Sequence, residues 1–587
     1  MRSFVIGKEH AAGADVRIPI DSFKTHWHLI GGTGKGKTTA IHTMLRGLLA
    51  NPLEKSCFFI IDRLGNFSQE LLLWMASRFC TPSVRNRLVF IQPSREDVVA
   101  TFNPLLYESS AHAYYRIERS TEIMLRAWES QEVTQMPRLA RWTYNAFAAA
   151  AQLQLTISDC CHFLHPGSPY HRPLLELLGT VDPRLMSEWQ EIMSTRGQEA
   201  MRILDSSRNR LRPYFDSDIL RRMFGSTQSR LDVLRMMREG RIVIVDLSPR
   251  NRLGEQLANT IGALLINEVI AQVRSLPRDV RYPTYMFLDE FQNFVGRDIE
   301  SALPELRNLG LRLILSHQSF SQLERGDHDL RSIIFQAQSR MIFGVQGEDA
   351  EILAHEVASI TFDARKIKDE IYSRRQLNAG HRIEELESWG DSQQRADQWS
   401  DSQSKGKSRG ETMFGDPFSL HASRNRSESS GESKSESKAK GGSESYGSSH
   451  TRHQQLVPEH ENFLELASRT YQGFEEQKSE WARDIRNLNT GRALLRLVND
   501  PKLHLVDVKR SVPGFLQYDM HMIARKFPAA LEVMDRLIEE NFKSDYFVPA
   551  AEIDRETKLR LQNVLHSRVS TGNIIDHPAD PAQEPII

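Results

Sequence analysis

The stretch "HLIGGTGKGKTTA" (28–40) sets four glycines and two lysines between an apolar strand and a helix. It matches G-x-x-x-x-G-K-[ST] at Gly31, Gly36, Lys37 and Thr38, and it constrains the fold more than any other feature of the chain. Glycines let a backbone wrap closely round a phosphate chain with successive N–H groups turned inward. The helix that follows presents its N-terminus to the same anion. Gly31, Gly32, Thr33, Gly34, Lys35, Gly36, Lys37, Thr38 and Thr39 are therefore the expected phosphate cradle for ATP. Lys37 reaches for the β- and γ-phosphates, Thr38 offers a hydroxyl to Mg2+, and Lys35 occupies a variable position. Such a loop belongs at the carboxyl end of a strand in a mostly parallel sheet.

The rest of the chain supplies that sheet. Strand-like runs occur at 4–7, 16–20 and 27–30, then at "CFFIID" (57–62), "RLVFIQ" (87–92), "RIVIVDL" (241–247), "TYMFLDE" (284–290), "LRLILSH" (311–317) and "RMIFGV" (340–345). Most of these runs are continuously apolar rather than alternating, as expected of parallel strands buried on both faces. Helical stretches separate most of them, which predicts an α/β, doubly wound core.

From about 103 to 240 only 3.6-residue periods appear, predicting an inserted all-α domain at 104–238. The segment 422–450 holds 11 serines, with Glu, Lys and Gly filling most of the rest. Such composition cannot bury enough apolar area to offset chain entropy, so 388–455 is expected to be disordered. Beyond it a long helix from His460 and strands at 492–498 and 504–510 complete the sheet from its far side. The predicted organisation is a β-hairpin (1–24), core segments at 25–103, 239–387 and 456–512, a helical segment at 513–571 and a disordered tail at 572–587.

The net charge is −1, so the chain as a whole is not a cationic nucleic-acid coat, and any DNA contact must come from local patches. Four cysteines, two of them adjacent, make no disulfide framework and fit a reducing cytosol. No apolar run is long enough to span a bilayer, and the N-terminus lacks a signal peptide's apolar stretch. A cytoplasmic protein without direct membrane insertion is expected.

A phosphate cradle needs a second half to hydrolyse what it holds. "TYMFLDEFQNF" ends an apolar strand in Asp289-Glu290. Asp289 can hold Mg2+ through water, and Glu290 beside it can polarise an attacking water. "LRLILSHQ" ends in His317-Gln318, where Gln318 can sense the γ-phosphate or simply be a solvated strand end.

With these residues in place the chain resembles the HerA/FtsK branch of P-loop ATPases, and within it the type IV secretion coupling-protein-like ATPases of conjugative DNA transfer. Four stretches carry the resemblance: "HLIGGTGKGKTT", "IIDRLGNFSQELL" (60–72), "FLDEFQNF…ALPELRNLGLRLILSHQSFSQL" and "IIFQAQSRMIFGVQGEDAEILA" (333–354). The resemblance spans about 5–508 and implies a RecA-like core, ATP and Mg2+ at subunit interfaces, and a ring, a hexamer, of identical chains. It implies an arginine acting in trans, with Arg307 at the matching position and Arg340 as the second candidate, each otherwise a surface ion pair, and an acidic residue near the nucleotide at Asp62, otherwise a strand-end cap. Arg63-Leu64 and Asn66 depart from the family's stretch after the second strand, and the transmembrane helices of membrane-bound members have no counterpart. The expected activity is ATP-driven DNA translocation, with conjugation or phage defence as settings. The alternatives are a motor that moves protein, or a nucleotide-gated scaffold for a nuclease, relaxase or secretion-channel partner.

Two further segments have two readings each. "RNRLRPYFDSDILRRMFGSTQSR" (208–230) is either a basic, aromatic-interleaved phosphate track or a helix face paired to Asp216 and Asp218. "DCCHFLH" (159–165) reads as buried helix cysteines rather than a zinc site, since no CxxC pair accompanies it.

Overall fold

The computed structural model describes residues 2–50, 55–107, 110–126, 137–195, 197–277, 280–294, 305–325, 328–329, 331–394, 408–414, 423–429, 445–498, 500–509 and 513–569. They form two compact units, one from Met1–Asp363 with Gly473–Ile587 and one from Ala364–Gln472.

The first unit is built on an eleven-stranded sheet. In chain order its strands are β1 (Ser3–Glu9), β2 (Asp15–Pro19), β3 (Trp27–Ile30), β4 (Cys57–Asp62), β5 (Leu88–Ile91), β6 (Ile242–Asp246), β7 (Thr284–Leu288), β8 (Leu311–His317) and β9 (Ser339–Ile342). Two more strands, Arg492–Leu497 and Asp500–Val508, follow far downstream. The spatial order is β2, β1, Asp500–Val508, Arg492–Leu497, β9, β3, β8, β7, β4, β6, β5. From β9 to β5 every pairing is parallel, and the remaining pairings are antiparallel.

The continuous apolar runs follow from this burial. Every residue of β4 is buried, and alternate side chains serve opposite faces. Phe58 and Ile60 pack with Ile41, Met44 and Leu45 of helix α1 (Lys37–Ala50) and with Leu71 and Leu72 of α2 (Asn66–Ala76). Cys57, Phe59 and Ile61 pack on the opposite face, in the cluster that holds Trp142, Phe147 and Trp189. Each such large side chain contributes about 1.5–3 kcal/mol.

The helical segment expected at 104–238 runs from Ser110–Arg126 to Val233–Glu239, with no strand among its described residues. It is not a separate body. Its Trp142 and Trp189 belong to the same apolar cluster as the sheet, so the helices are the second layer of one core.

The later chain departs from the sequence expectations in three ways. The core does not run to 387 but leaves the first unit after Asp363. The residues flanking the Ser-rich stretch are not disordered: Ile367–Gln394 and Ser445–Tyr471 pair as a long antiparallel ribbon, and Ser408–Phe414 pairs with Ser423–Ser429. The Ser-rich residues 430–444 and the tail 572–587 lie outside the described residues. The long helix expected from His460 begins only at α3 (Phe474–Arg486), because the chain stays extended to Tyr471. Gly473 marks the break, its N–H donating to Glu476 Oε2 at 3.1 Å. The apolar residues 463, 464 and 466 were open to a helical reading, but they pair across strands with 375, 374 and 372.

The C-terminal helices α4 (Pro528–Asn541) and α5 (Ala550–Val569) stitch the first unit together. The Asn541 amide accepts from Phe90 N and donates to Phe90 O, both at 2.9 Å, which satisfies the edge strand β5 as another strand would. Arg560 is buried, donates to Asp159 at 2.9 and 3.1 Å, and also reaches Gly225 O. Breaking a buried pair of this kind costs about 3–5 kcal/mol. Arg560→Met is therefore expected to lower the thermal midpoint and expose the 550–569 helix to limited proteolysis. Leu559→Ala, at a side chain 46% exposed, should stay within about 0.5 kcal/mol of the parent.

Candidate nucleotide-hydrolysis site

Because β3, β4, β7 and β8 are parallel, their carboxyl ends share one edge of the sheet. The register sets Ile30 opposite His317, Leu288 opposite Leu315 and Ile61 opposite Leu288. Gly31, Asp62, Asp289 and Gln318 therefore leave neighbouring strand ends.

The loop is held from both sides. Gly32 N donates to Gly344 O at 2.9 Å, Gly491 N donates to Lys35 O at 2.9 Å, and Lys35 Nζ donates to Leu488 O at 3.1 Å. Gly36 has φ +108°, and a Cβ there would stand 3.1 Å from Gly491 Cα; a Cβ on Gly31 would stand 2.4 Å from Phe343 Cβ. Both positions need glycine. The amides of Gly34, Gly36, Lys37, Thr38 and Thr39 donate to no acceptor among the described residues. Unpaired amides at the head of the fourteen-residue helix α1 are what a phosphate group requires.

Lys37 is buried and turns its Nζ onto Gly31 O and, at 3.3 Å, Gly32 O. Burial holds its pKa below an ordinary lysine's, opposed by the carboxylates of Asp289 and Glu290. Asp289 accepts from the Ser316 hydroxyl. Burial pushes its carboxyl up to about 6, helped by Glu290 and Asp62 and opposed by Ser316 and Lys37. A buried carboxyl of this kind gains from a cation, and Thr38 with Asp289 are the residues that would hold Mg2+.

Glu290 is 6% exposed and left-handed, at φ 53° and ψ 47°. Its Oε1 accepts from Gln318 Nε2 at 2.7 Å, and Gln318 Oε1 accepts from Thr33 Oγ1 at 2.7 Å. Gln318 thus joins the loop to the acidic pair, which sequence alone left open. On the other oxygen, Oε2 accepts from Gln292 Nε2 at 2.8 Å.

Beneath this relay lies a histidine pair that the sequence did not single out. His28 Nε2 and His317 Nε2 are 2.8 Å apart on fully buried, stacked rings. His317 Nδ1 contacts Ser319 O at 3.0 Å, so it carries the proton and His28 Nε2 donates to His317 Nε2. Burial drives both rings far toward the neutral form, His317 to about 3. The pair fastens β3 to β8 directly below the loop and Gln318.

Asp62 accepts from Leu64 N, Gly65 N and Ser68 N at 2.6–3.0 Å, capping the turn into α2. Its field acts on Asp289, so it bears on the site from behind. Arg307 is exposed on a helical turn at 305–308, before the amino end of β8. Seven residues of strand separate that end from His317, about 20 Å, so Arg307 cannot serve its own loop. Arg340 corrects the sequence expectation. It is 2% exposed, pairs with Glu356, donates to Ile334 O at 3.0 Å and lies over the Phe335 ring. All four residues of β9 are buried, so Arg340 spends its guanidinium inside its own chain.

In the basic segment Arg212 pairs with Asp216, Arg221 with Asp218 and Arg222 with Asp554. Cys160 is buried, and no metal-binding cluster occurs among the described residues. No described helix is long and apolar enough to cross a membrane.

A glycine-rich loop on an inner parallel strand, with an acidic pair ending a strand two places away, defines a RecA-like P-loop nucleotide-binding fold. Residues 10–360 match the model of the type IV secretion-system coupling protein DNA-binding domain, and the chain belongs to that family. Among solved structures it is similar to the bacterial conjugative coupling protein TrwBdeltaN70 in an unbound form, at 13% identity over 86% of this chain and 88% of that one, with a TM-score of 0.47. The plasmid coupling protein TrwB in complex with ADP and Mg2+ gives 12%, 87%, 91% and 0.47, and its complex with the non-hydrolysable analogue ADPNP gives 15%, 61%, 79% and 0.45. No curated protein matches the sequence.

The raised carboxyl of Asp289 yields a signed prediction. Between its ordinary value and about 6 the folded, metal-free chain holds the proton that the unfolded chain has lost. Stability therefore falls as pH rises through that window and stays lower above it. Asp289→Asn should raise the stability of the nucleotide-free protein at pH 8 by about 1–3 kcal/mol and leave it unchanged at pH 4. Thermal melts at the two pH values measure this.

Proposed function

We propose that this chain is a Mg2+-dependent ATPase that moves DNA as a ring, a hexamer, of identical subunits in the cytoplasm. The observation that carries the reading is the Thr33–Gln318–Glu290 relay, which joins a phosphate loop to an acid in a chain of the coupling-protein DNA-binding family. The free amides of α1 and the Lys37 ammonium bind the phosphates. Thr38 and Asp289 hold Mg2+, which when bound neutralises charge on the transferring phosphoryl group. Glu290 takes a proton from the attacking water, and Gln318 links its alignment to Thr33 in the loop. Arg307 fits a role in the neighbouring subunit, since its own loop is out of reach. Exposed arginines at 202 and 230, without ion pairs among the described residues, can meet DNA phosphates.

A second reading, a motor for protein cargo or a scaffold for a nuclease, relaxase or secretion channel, is favoured by the neutralised Arg212, Arg221 and Arg222. ATP turnover with and without DNA separates the readings. Stimulation by DNA that falls steeply with salt supports the DNA motor; turnover indifferent to DNA supports the protein cargo. Glu290→Gln should lose about 10²–10⁴-fold in kcat while still binding nucleotide. Lys37→Ala should lose binding. Arg307→Ala subunits doped into parent rings should depress turnover more steeply than their mole fraction.

A further inference from the structure

The side chains around Glu290 extend beyond Gln318. Gln292 is 3% exposed, sits on the 3-10 turn Phe291–Asn293 and donates from one amide nitrogen to two acceptors. One is Glu290 Oε2 at 2.8 Å, and the other is Gln322 Oε1 at 3.2 Å. That same Gln322 oxygen receives Gln318 N and Ser319 N, each at 3.3 Å. The left-handed backbone of Glu290 is held as well, its carbonyl accepting from Asn293 N at 3.1 Å and Asn293 Nδ2 at 3.0 Å. A non-glycine residue in that region is strained, and such strain persists only where surroundings over-determine it.

Each oxygen of the Glu290 carboxylate thus receives one glutamine, and the two glutamines reach it from different elements. Gln318 comes from the carboxyl end of β8. Gln292 comes from the turn after β7 and is tied through Gln322 to the turn that follows Gln318. One such amide fixes a distance; two from opposite sides fix the plane of the carboxylate.

We propose that Gln292 and Gln322 are a positioning pair for Glu290. Gln292 orients the carboxylate toward the phosphate loop, and Gln322 locks that orientation to the turn 318–323, so the general base is aligned only while that turn keeps its place. Neither glutamine touches nucleotide; both act through Glu290. The inference rests on the ATPase reading above.

The test is steady-state ATP turnover by the full chain, with thermal melts, for Gln292→Met and Gln322→Met in the parent and in a Glu290→Gln background. Methionine keeps length and volume and removes the amide. Gln292→Met should lower kcat by about 10–100-fold, the scale of a misaligned catalytic group, with KM for ATP within about two-fold. Gln322→Met should lower it less, and the double variant should be no worse than Gln292→Met alone, as for residues acting through one group. In the Glu290→Gln background the residual rate should change less than about two-fold, because the group being positioned is gone. An equal fractional loss in both backgrounds overturns the proposal by showing a general structural role, as does a Gln292→Met kcat within two-fold of the parent. Should Gln292→Met fail to melt cooperatively, the half-buried Gln322→Met decides the matter by the same two comparisons. A parent chain with no turnover, with or without DNA, fells the ATPase reading itself. A parent that turns over beside an indifferent Gln292→Met fells only the positioning pair.

Discussion

One side-chain amide, that of Gln318, holds the two halves of the site in register. Its oxygen takes the Thr33 hydroxyl of the phosphate loop and its nitrogen reaches the Glu290 carboxylate, each at 2.7 Å. Both contacts depend on parallel strands ending together, so they exist only in the strand order β3, β8, β7. The buried histidine pair one residue below keeps those ends from sliding. Because Glu290 itself is buried, paired amides hold its carboxylate more firmly than water would.

The local half of this site was legible in the sequence. The phosphate loop reads as one stretch because its chemistry needs consecutive backbone groups, and Asp289-Glu290 reads as a strand-end acid pair because four apolar residues precede it. The parallel core reads from runs such as Cys57–Asp62, in which no position tolerates water. What stayed hidden was non-local. Gln292 and Gln322 are ordinary polar residues until β7 and β8 are laid side by side. Gly491 looks like a turn residue, yet it supports Lys35 from the far end of the chain. Arg340 looked available, but an inner strand buries alternate residues on both faces and no spacing rule says which partner, here Glu356, awaits inside.

The ribbon and the C-terminal helices show two further limits. Serine, glutamate and lysine bias suggested a chain without structure, whereas cross-strand pairing extends from Ile367–Tyr471 to Gln394–Ser445. Composition measures what can be buried, but a ladder is satisfied by backbone groups that every residue except proline carries in full. The helical segment at 513–571 was visible as helix, but its purpose was not. It closes the β5 edge with Asn541 and clasps the helical layer with Arg560, tasks defined only by partners hundreds of residues away.

The junction at Asp363 has a consequence for how such a chain can change over time. Asp363 N donates to Gln477 Oε1 at 3.2 Å and Gln477 Nε2 donates to Asp363 O at 2.8 Å, and Phe362 packs on Phe474, so the points where the chain leaves the first unit and rejoins it are held side by side. Everything from Ala364 to Gln472 is one excursion between those two points of the chain. Closure entropy grows only with the logarithm of loop length, each doubling adding about 0.6 kcal/mol. The excursion can therefore lengthen, shorten or be exchanged at small thermodynamic penalty to the phosphate loop and its acidic pair, a freedom to acquire new attachments while the first unit stays unchanged.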